Sequence, residues 1–170
     1  SASVQAETDV QALELTHETI DHMRRHKPSL YEFFLHQLIG YAHAIIRGSN
    51  MSLVEIQSII DYSEWEEQSE PSEVGEVRLM QNVDMRDMYM FASLPADKVL
   101  AILKLATFAR FSRGDIIMRQ GSNADAFYLI TDGEVSVKFR NIDGDQVSLN
   151  TVAKGMLLGE MGLTSMESTR

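Results

Sequence analysis

The hydrophobic and polar positions at the start of the chain alternate with a period of two. This period extends over Ser3–Ala6 and Val10–Leu15 and is typical of short, half-buried β-strands. A helical period follows, with Thr16 as the predicted N-cap and a basic last turn before Pro28. The chain is therefore expected to begin with two short strands and a helix.

A longer helix is predicted to follow, with Ser29 as its N-cap and Gly48 as its end. A third, shorter helix is predicted for Met51–Ile60. The apolar residues of the long helix fall on one broad face: Leu30, Phe33, Phe34, Leu38, Tyr41, Ala42, Ile45 and Ile46.

The segment after these helices is acidic, with no lysine or arginine between residues 61 and 76. This composition predicts a solvated linker over residues 62–75, and an acidic docking motif centred on Trp65 is the alternative. The acidic residues are Asp61, Glu64, Glu66, Glu67, Glu70, Glu73 and Glu76.

Two further helices are predicted before the pattern changes. Val77–Phe91 is rich in methionine and has mixed charge, which favours a helix with an adaptable apolar face. Ser93 is the predicted N-cap of a helix over Leu94–Phe108, with Pro95 at the tolerated first position.

The remainder, from Phe108 to Leu158, has the pattern of β-structure. Short apolar runs are separated by glycines at regular intervals, which is typical of an antiparallel sandwich or roll. Asp143-Gly144 is a hairpin signal. The predicted fold class is α+β, with an antiparallel β-roll flanked by an N-terminal helix and C-terminal helices.

Composition narrows the classes of function. The 170 residues, 44% of them hydrophobic, suffice for one globular domain. Fifteen basic and 25 acidic residues give a net charge of −10, which opposes nucleic-acid binding. With no cysteine, the chain has no disulfide, thiolate zinc site or cysteine nucleophile. No apolar run is long enough to cross a bilayer, and a cytoplasmic location is expected.

The five histidines all lie in the first 43 residues. His22 and His26 are one helical turn apart, but the arginines between them favour a basic helix end over a metal site. His17 and His22 miss the zincin spacing by one residue. The predicted β region holds no histidine, which argues against a cupin-type metalloenzyme. The sequence therefore predicts neither a metalloprotease nor a cupin-type enzyme. The overall expectation is a protein that is not an enzyme and has neither metal nor cofactor.

One stretch carries candidate chemistry, the glycine-rich segment Gly155–Leu163 together with Arg170. Its glycines free backbone N–H groups for an anion, Glu160 offers a carboxylate and Arg170 a bidentate guanidinium. On its own this stretch is more typical of an ordinary turn and a solvated arginine.

The surrounding residues change this interpretation, because five motifs occur in order: Arg113-Gly114-Asp115-Ile116-Ile117, Gln120-Gly121, Ala124-Asp125-Ala126-Phe127-Tyr128-Leu129-Ile130, Gly133-Glu134-Val135 and Leu158-Gly159-Glu160. With these motifs, residues 94–170 resemble the cyclic nucleotide-binding domain family, whose β-roll occurs in the bacterial catabolite activator protein and in the regulatory subunit of protein kinase A. The resemblance implies that the Gly159-Glu160 pair binds the ribose 2′-hydroxyl and that Arg170 binds the cyclic phosphate. Leu158 departs from the family, which usually has phenylalanine there.

In this family the chain continues after the arginine into a strand and two helices, and residues 1–47 have this pattern. We therefore expect 1–47 to supply the last strands and two C-terminal helices, 48–76 a short helix and an acidic linker, and 77–170 the N-terminal helices and the roll. Three accounts fit: a circular permutant; two fragments of one domain, cut after Arg170 at an exposed loop, in reversed order; or a junction between tandem domains. The tandem junction is the least favoured.

The resemblance also implies the rest of the site. Ser1 and Ala2 are expected beside Arg170, with Ser3–Ala6 extending the sheet that contains residues 147–152 or its neighbour. The apolar strand positions Val135, Val137, Leu149 and Val152 are expected to line the pocket, although ordinary core packing would also explain them. Counting along the family, Ile45, Ile46 and Arg47 reach the base.

The predicted function is a regulatory module that binds a cyclic nucleotide. Cyclic AMP is preferred to cyclic GMP because Ser1 follows the arginine as in cyclic-AMP binders, and occupancy is expected to move the long helix. The alternative is a degenerate domain that serves protein interaction or oligomerisation. A homodimer through the long helix and an unidentified effector are the expected partners, with no nucleic acid and no membrane insertion.

Overall fold

The computed structural model describes residues 2–48, 68–76, 88, 90–92, 94–122, 125–141 and 144–159. Its elements are, in chain order, β1 (Ser3–Ala6), β2 (Val10–Thr16), α1 (His17–His26), α2 (Pro28–Gly48), β3 (Glu73–Glu76), α3 (Ala96–Leu103), β4 (Thr107–Phe111), β5 (Ile116–Met118), β6 (Ala126–Asp132), β7 (Glu134–Arg140), β8 (Gln146–Ala153) and β9 (Leu157–Leu158).

The strands form two antiparallel sheets, and the first two strands of the chain lie inside them. The four-stranded sheet has the order β5-β1-β7-β8 and the five-stranded sheet the order β3-β4-β2-β6-β9. Val4 in β1 stands between Val137 in β7 and Met118 in β5. The prediction that Ser3–Ala6 joins the sheet containing residues 147–152 is confirmed, and the fold is the predicted α+β fold with an antiparallel roll.

Two apolar clusters form the core. One fills the roll between the sheets, and the other lies between the five-stranded sheet and the helices. The roll cluster consists of Val4, Ala6, Val10, Ala12, Ala109, Phe111, Ile117, Ala126, Tyr128, Ile130, Val135, Val152 and Leu158. The helix-side cluster includes Leu13, Leu15, Ile20, Met23, Leu30, Phe34, Leu38, Tyr41, Met88, Met90, Phe91, Ile102, Phe127, Leu129 and Leu157.

The start of helix α1 is as predicted, and the start of helix α2 is not. Thr16 is the N-cap of α1, as predicted, and its side-chain oxygen accepts a hydrogen bond from the Thr19 N–H (3.2 Å). Helix α2 begins at Pro28, so the prediction of Ser29 as its N-cap is wrong. Proline suits the first turn because its missing N–H would have no helical partner there, and the Lys27 carbonyl accepts the first hydrogen bonds.

The predicted helix over Leu94–Phe108 is too long at both ends. Helix α3 spans only Ala96–Leu103, and Pro95 is its N-cap. Thr107–Phe111 is strand β4 instead, because it pairs with β2 on one side and with β3 on the other. Hydrogen bonds to two neighbouring strands outweigh the helical period in this segment.

The end of the predicted acidic linker also has regular structure. Glu73–Glu76 forms β3, an edge strand that pairs with β4, so a solvated linker is wrong for these residues. Backbone pairing needs no apolar side chains, and Val74 remains largely exposed. The predicted helix at residues 51–60 and most of the one at 77–91 lie outside the described residues.

The hairpin between β7 and β8 forms where the sequence predicts it. Gly144 has a φ of 89°, and its N–H donates to the Asn141 carbonyl (3.1 Å). Asp143 lies outside the described residues. Among the helices that the structure describes, none combines the length and hydropathy needed to span a membrane.

Candidate ligand-binding site

The inward face of the β7–β8 hairpin changes from buried to exposed along its length. Val135 and Val152 pair with each other and are buried in the roll core. Val137 is partly buried against the same cluster. Phe139, on the same face as Val137 by strand alternation, pairs with Val147, which is 46% exposed. The outer part of this hairpin is therefore an accessible apolar surface that continues the core.

Of the four residues predicted to line the pocket, Val137 and Leu149 differ in their surroundings from the buried pair Val135 and Val152. Val137 packs against the roll core and faces Asn150 on the neighbouring strand. Leu149 falls at the irregularity where the register shifts between Val137 and Lys138, and it is 46% exposed. A bulge re-aims the side chain at such a position, which separates Leu149 from the buried valines.

The glycine turn follows β9 and lies against β6. Gly159 has a φ of 90°, and a Cβ atom there would stand 2.7 Å from the Ala126 carbonyl oxygen. The same Cβ would meet the methyl group of Met118 at 3.5 Å. Only glycine suits this backbone without strain. The turn is thereby placed beside β5, whose Met118 stands opposite Val4.

The structure brings three of the predicted site residues to neighbouring strands. Ala2, half-buried, directly precedes β1, where Ser3 pairs with Lys138 one residue after Val137. Gly159 approaches β5 on the other side of β1. Ala2, Val137 and Gly159 are thus grouped around β5, β1 and β7.

Six further predicted site residues have no described side-chain position. Ser1, Glu160 and Arg170 lie outside the described residues. Ile45, Ile46 and Arg47 belong to the backbone of α2, and their side chains lie outside the description.

Gln120, in the Gln-Gly motif, forms hydrogen bonds to Ser3 at the start of β1 and to Arg140 at the end of β7. Its N–H donates to the Ser3 hydroxyl oxygen (2.9 Å), and its buried side-chain amide bonds both backbone groups of Arg140. The side-chain oxygen accepts from the Arg140 N–H (2.8 Å), and the side-chain nitrogen donates to the Arg140 carbonyl (3.2 Å). The motif therefore holds the start of β1 and the end of β7 in place.

A polar cluster on the outer face of the same sheet was missed by sequence reasoning. The buried Ser136 hydroxyl donates to Glu7 Oε1 (2.5 Å), and Lys138 Nζ lies 3.0 Å from the same oxygen. Lys138 also donates to Gln5 Oε1 (2.5 Å). The Ser136 hydrogen bond, followed by Lys138, lowers the pKa of Glu7. The cluster alternates with Val135 and Val137 along β7, so it fastens β1 to β7 outside the roll.

A second set of polar side chains connects three adjacent strands of the five-stranded sheet, β4, β2 and β6. The Glu14 carboxylate accepts from the Tyr128 hydroxyl (3.0 Å) and from the Thr107 hydroxyl (3.1 Å). Burial, followed by the nearby Glu14 carboxylate, raises the pKa of Tyr128. Both partners stand opposite Glu14 on neighbouring strands, so the group stabilises the pairing of β4, β2 and β6.

Helix α2 reaches the site region through Tyr41. Its hydroxyl bonds the backbone of Leu157, two residues before Gly159. The helical pattern identifies Tyr41 as a buried residue, but no local signal identifies its partner, which is 116 residues away.

Comparison with known proteins finds a family model that matches the roll. Residues 108–170 match the family model of the cyclic nucleotide-binding domain. This part of the chain is similar to the cyclic nucleotide-binding domain family. The match begins in β4 and includes the Gly159 turn, in agreement with the predicted family.

The curated relatives are much longer proteins than this chain, which spans about a seventh or less of their length. Glutaminase 2 of Bradyrhizobium diazoefficiens is 30% identical over 96 residues, which are 56% of this chain and 14% of that protein. Human cGMP-dependent protein kinase 2 is 30% identical over 82 residues, 48% of this chain and 11% of the kinase. A Drosophila melanogaster cGMP-dependent protein kinase is 29% identical over 80 residues, 46% of this chain and 9% of that kinase. No solved structure matches significantly.

Proposed function

We propose that this protein is a regulatory module that binds a cyclic nucleotide inside the roll and transmits occupancy to helix α2. The observation that carries the proposal is the family match over residues 108–170, which include a glycine turn held against β6 and an accessible apolar surface on the β7–β8 hairpin. A turn of this kind leaves backbone N–H groups free for an anion, and the apolar surface offers contact to a sugar or base.

The binding roles follow the family resemblance. Glu160 accepts the ribose 2′-hydroxyl, and Arg170 forms a bidentate contact with the cyclic phosphate worth about 1.5–3 kcal/mol. Ala2 and Val137 contribute apolar contact, for which their position around β1 is the support. In the proposal, Ser1 lies next to the phosphate, Leu149 lines the pocket, and Ile45, Ile46 and Arg47 meet the base.

For the base we propose cyclic AMP, on the ground that serine would follow the arginine if Ser1 lies next to Arg170. The names of the kinase relatives favour cyclic GMP. Isothermal titration calorimetry with both nucleotides separates these ligands. Saturable binding with cyclic AMP the tighter ligand supports the full proposal. Binding of cyclic GMP alone reverses the choice of base, and binding of neither contradicts the proposed function.

We also propose that residues 1–47 and 77–170 together form one domain, joined by the acidic segment. The support is the position of the first two strands inside the sheets: β1 lies between β5 and β7, and β2 lies between β4 and β6. In this proposal the chain is not an enzyme, because its family module is regulatory. A homodimer through α2 is supported by Phe33 and Ile39, which are exposed on this helix. The cytoplasmic location stays a prediction.

The second candidate is a roll that binds no nucleotide and serves as an interaction module. The exposed residues Phe33, Ile39 and Leu100 on α2 and α3 are the observation in its favour. Analytical ultracentrifugation together with the titration distinguishes the two candidates. Self-association without nucleotide binding would favour the interaction module.

A further inference from the structure

The hydroxyl group of Tyr41 joins the long helix to the strand that leads into the glycine turn. It accepts a hydrogen bond from the Leu157 N–H (2.8 Å) and donates one to the Leu157 carbonyl oxygen (3.3 Å). Tyr41 and Leu157 are 4% and 3% exposed. One side chain from a distant element thus satisfies both backbone groups of a buried residue.

The position of β9 in the sheet explains why a side chain is needed there. β9 is the last strand of the five-stranded sheet, and β6 pairs with only one of its sides. The Ile130 N–H donates to the Met156 carbonyl (3.0 Å), and the Gly155 N–H donates to the Ile130 carbonyl (2.8 Å). Leu157, next along the chain, directs its own N–H and C=O to α2. The Tyr41 hydroxyl therefore takes the place of a neighbouring strand.

This contact differs in kind from the rest of the buried face of α2. Leu30, Phe34 and Leu38 pack in the helix-side core through apolar contacts, which have no preferred direction. Hydrogen bonds to a backbone N–H and C=O are directional, so they fix α2 relative to β9. A displacement of one element then displaces the other.

The glycine turn has little freedom to move without β9. Gly159 comes two residues after Leu157, and its backbone lies against the Ala126 carbonyl. We propose that Tyr41 is a positioning residue that couples the turn to α2, so that nucleotide binding at the turn shifts the helix through the Leu157 hydrogen bonds. This inference rests on the proposed function and adds the residue that transmits nucleotide occupancy to α2.

Tyr41→Phe tests the coupling, with Tyr31→Phe as the matched control on the same helix. The phenylalanine ring retains the packing and loses only the hydroxyl, and the Tyr31 hydroxyl has no hydrogen bond to a described residue. Hydrogen exchange is measured by mass spectrometry for each protein with and without cyclic AMP, and again with cyclic GMP. In the wild type and Tyr31→Phe, we expect nucleotide to change exchange at residues 155–159 and 28–41. In Tyr41→Phe, the change at 155–159 persists, while that at 28–41 becomes at least about threefold smaller.

The outcomes separate this inference from the proposed function. A merely structural role would alter stability and exchange without ligand, but it would leave the nucleotide-induced change at 28–41 intact in Tyr41→Phe, and that result overturns the inference alone. Failure of the wild type to bind either nucleotide removes both proposals. If Tyr41→Phe does not fold, the exchange rate of the Leu157 amide is measured in the wild type by NMR. A rate that nucleotide binding leaves unchanged contradicts the coupling.

Discussion

At the scale of single residues, the glycine turn is the most constrained part of the described site. Gly159 combines a φ of 90° with a close approach to the Ala126 carbonyl, whereas Gly114 has a φ of 95° and open space where a Cβ would lie. Both glycines have a positive φ, but only at Gly159 would an added Cβ meet a neighbouring carbonyl oxygen. They therefore form a matched pair.

Alanine substitution at these two positions measures the contact. Gly114→Ala is expected to cost about 1 kcal/mol of unfolding free energy, because only the left-handed backbone is penalised. Gly159→Ala is expected to cost about 1–2 kcal/mol more, because its Cβ meets the Ala126 carbonyl, and to weaken nucleotide binding. Urea unfolding of both variants measures the loss of unfolding free energy. Equal losses would show that the contact between the new Cβ and the Ala126 carbonyl costs nothing.

At the scale of elements, side chains outside the roll fasten the first strand to the rest of the sheet. Glu7 follows β1 and receives the Ser136 hydroxyl and the Lys138 ammonium of β7. Because these contacts lower the pKa of Glu7 below its ordinary value of 4.5, ionised Glu7 stabilises the folded state above that pH. The stabilisation is lost as the pH falls through the lower, folded-state pKa.

Glu7→Gln is expected to remove this pH dependence. At about pH 6 the wild type should melt at a higher temperature than Glu7→Gln, and the difference should shrink toward about pH 3 as Glu7 becomes protonated. Thermal melts across this range test the expectation, with Glu134→Gln as an exposed control on β7. A difference between wild type and Glu7→Gln that stays constant with pH would exclude an ionised Glu7 as its cause.

The elements also indicate how far the sequence determines this fold. The strand period of β1 and β2, the Thr16 cap and the turn at Gly144 are local signals, and each is present in the structure. The errors at β3 and at the end of α3 depend on partners distant in sequence, since β4 pairs with both β2 and β3. For the site, the Gly159 turn carries a motif, whereas the contact between Tyr41 and Leu157 has no sequence signature.

At the scale of the whole molecule, the sheets interleave the two ends of the chain. β1 and β2 are interior strands, and their partners β4–β7 come from residues 107–140. If residues 1–47 complete the domain, their covalent order relative to the roll is not essential. The order of the segments can therefore be changed while the pairing is kept.

A rearranged chain tests this proposal. Placing residues 68–170 before residues 1–48, so that Ser1 follows Arg170 directly, should give a folded protein with the same strand pairing and at least the nucleotide affinity of the original order. Circular dichroism, thermal melting and calorimetry provide the readouts. A rearranged chain that does not fold would contradict the assignment of both segments to one domain.

Nucleotide binding through Glu160 and Arg170 is the central claim, and calorimetric titration of four proteins tests it most directly. The wild type is compared with Glu160→Ala, Arg170→Ala and the control Arg25→Ala, which removes the same charge from an exposed position on α1. The account predicts saturable binding by the wild type and the control, with affinity at least about tenfold weaker (about 1.5 kcal/mol) in the two site variants, all four proteins being folded. Equal affinity in all four would contradict it.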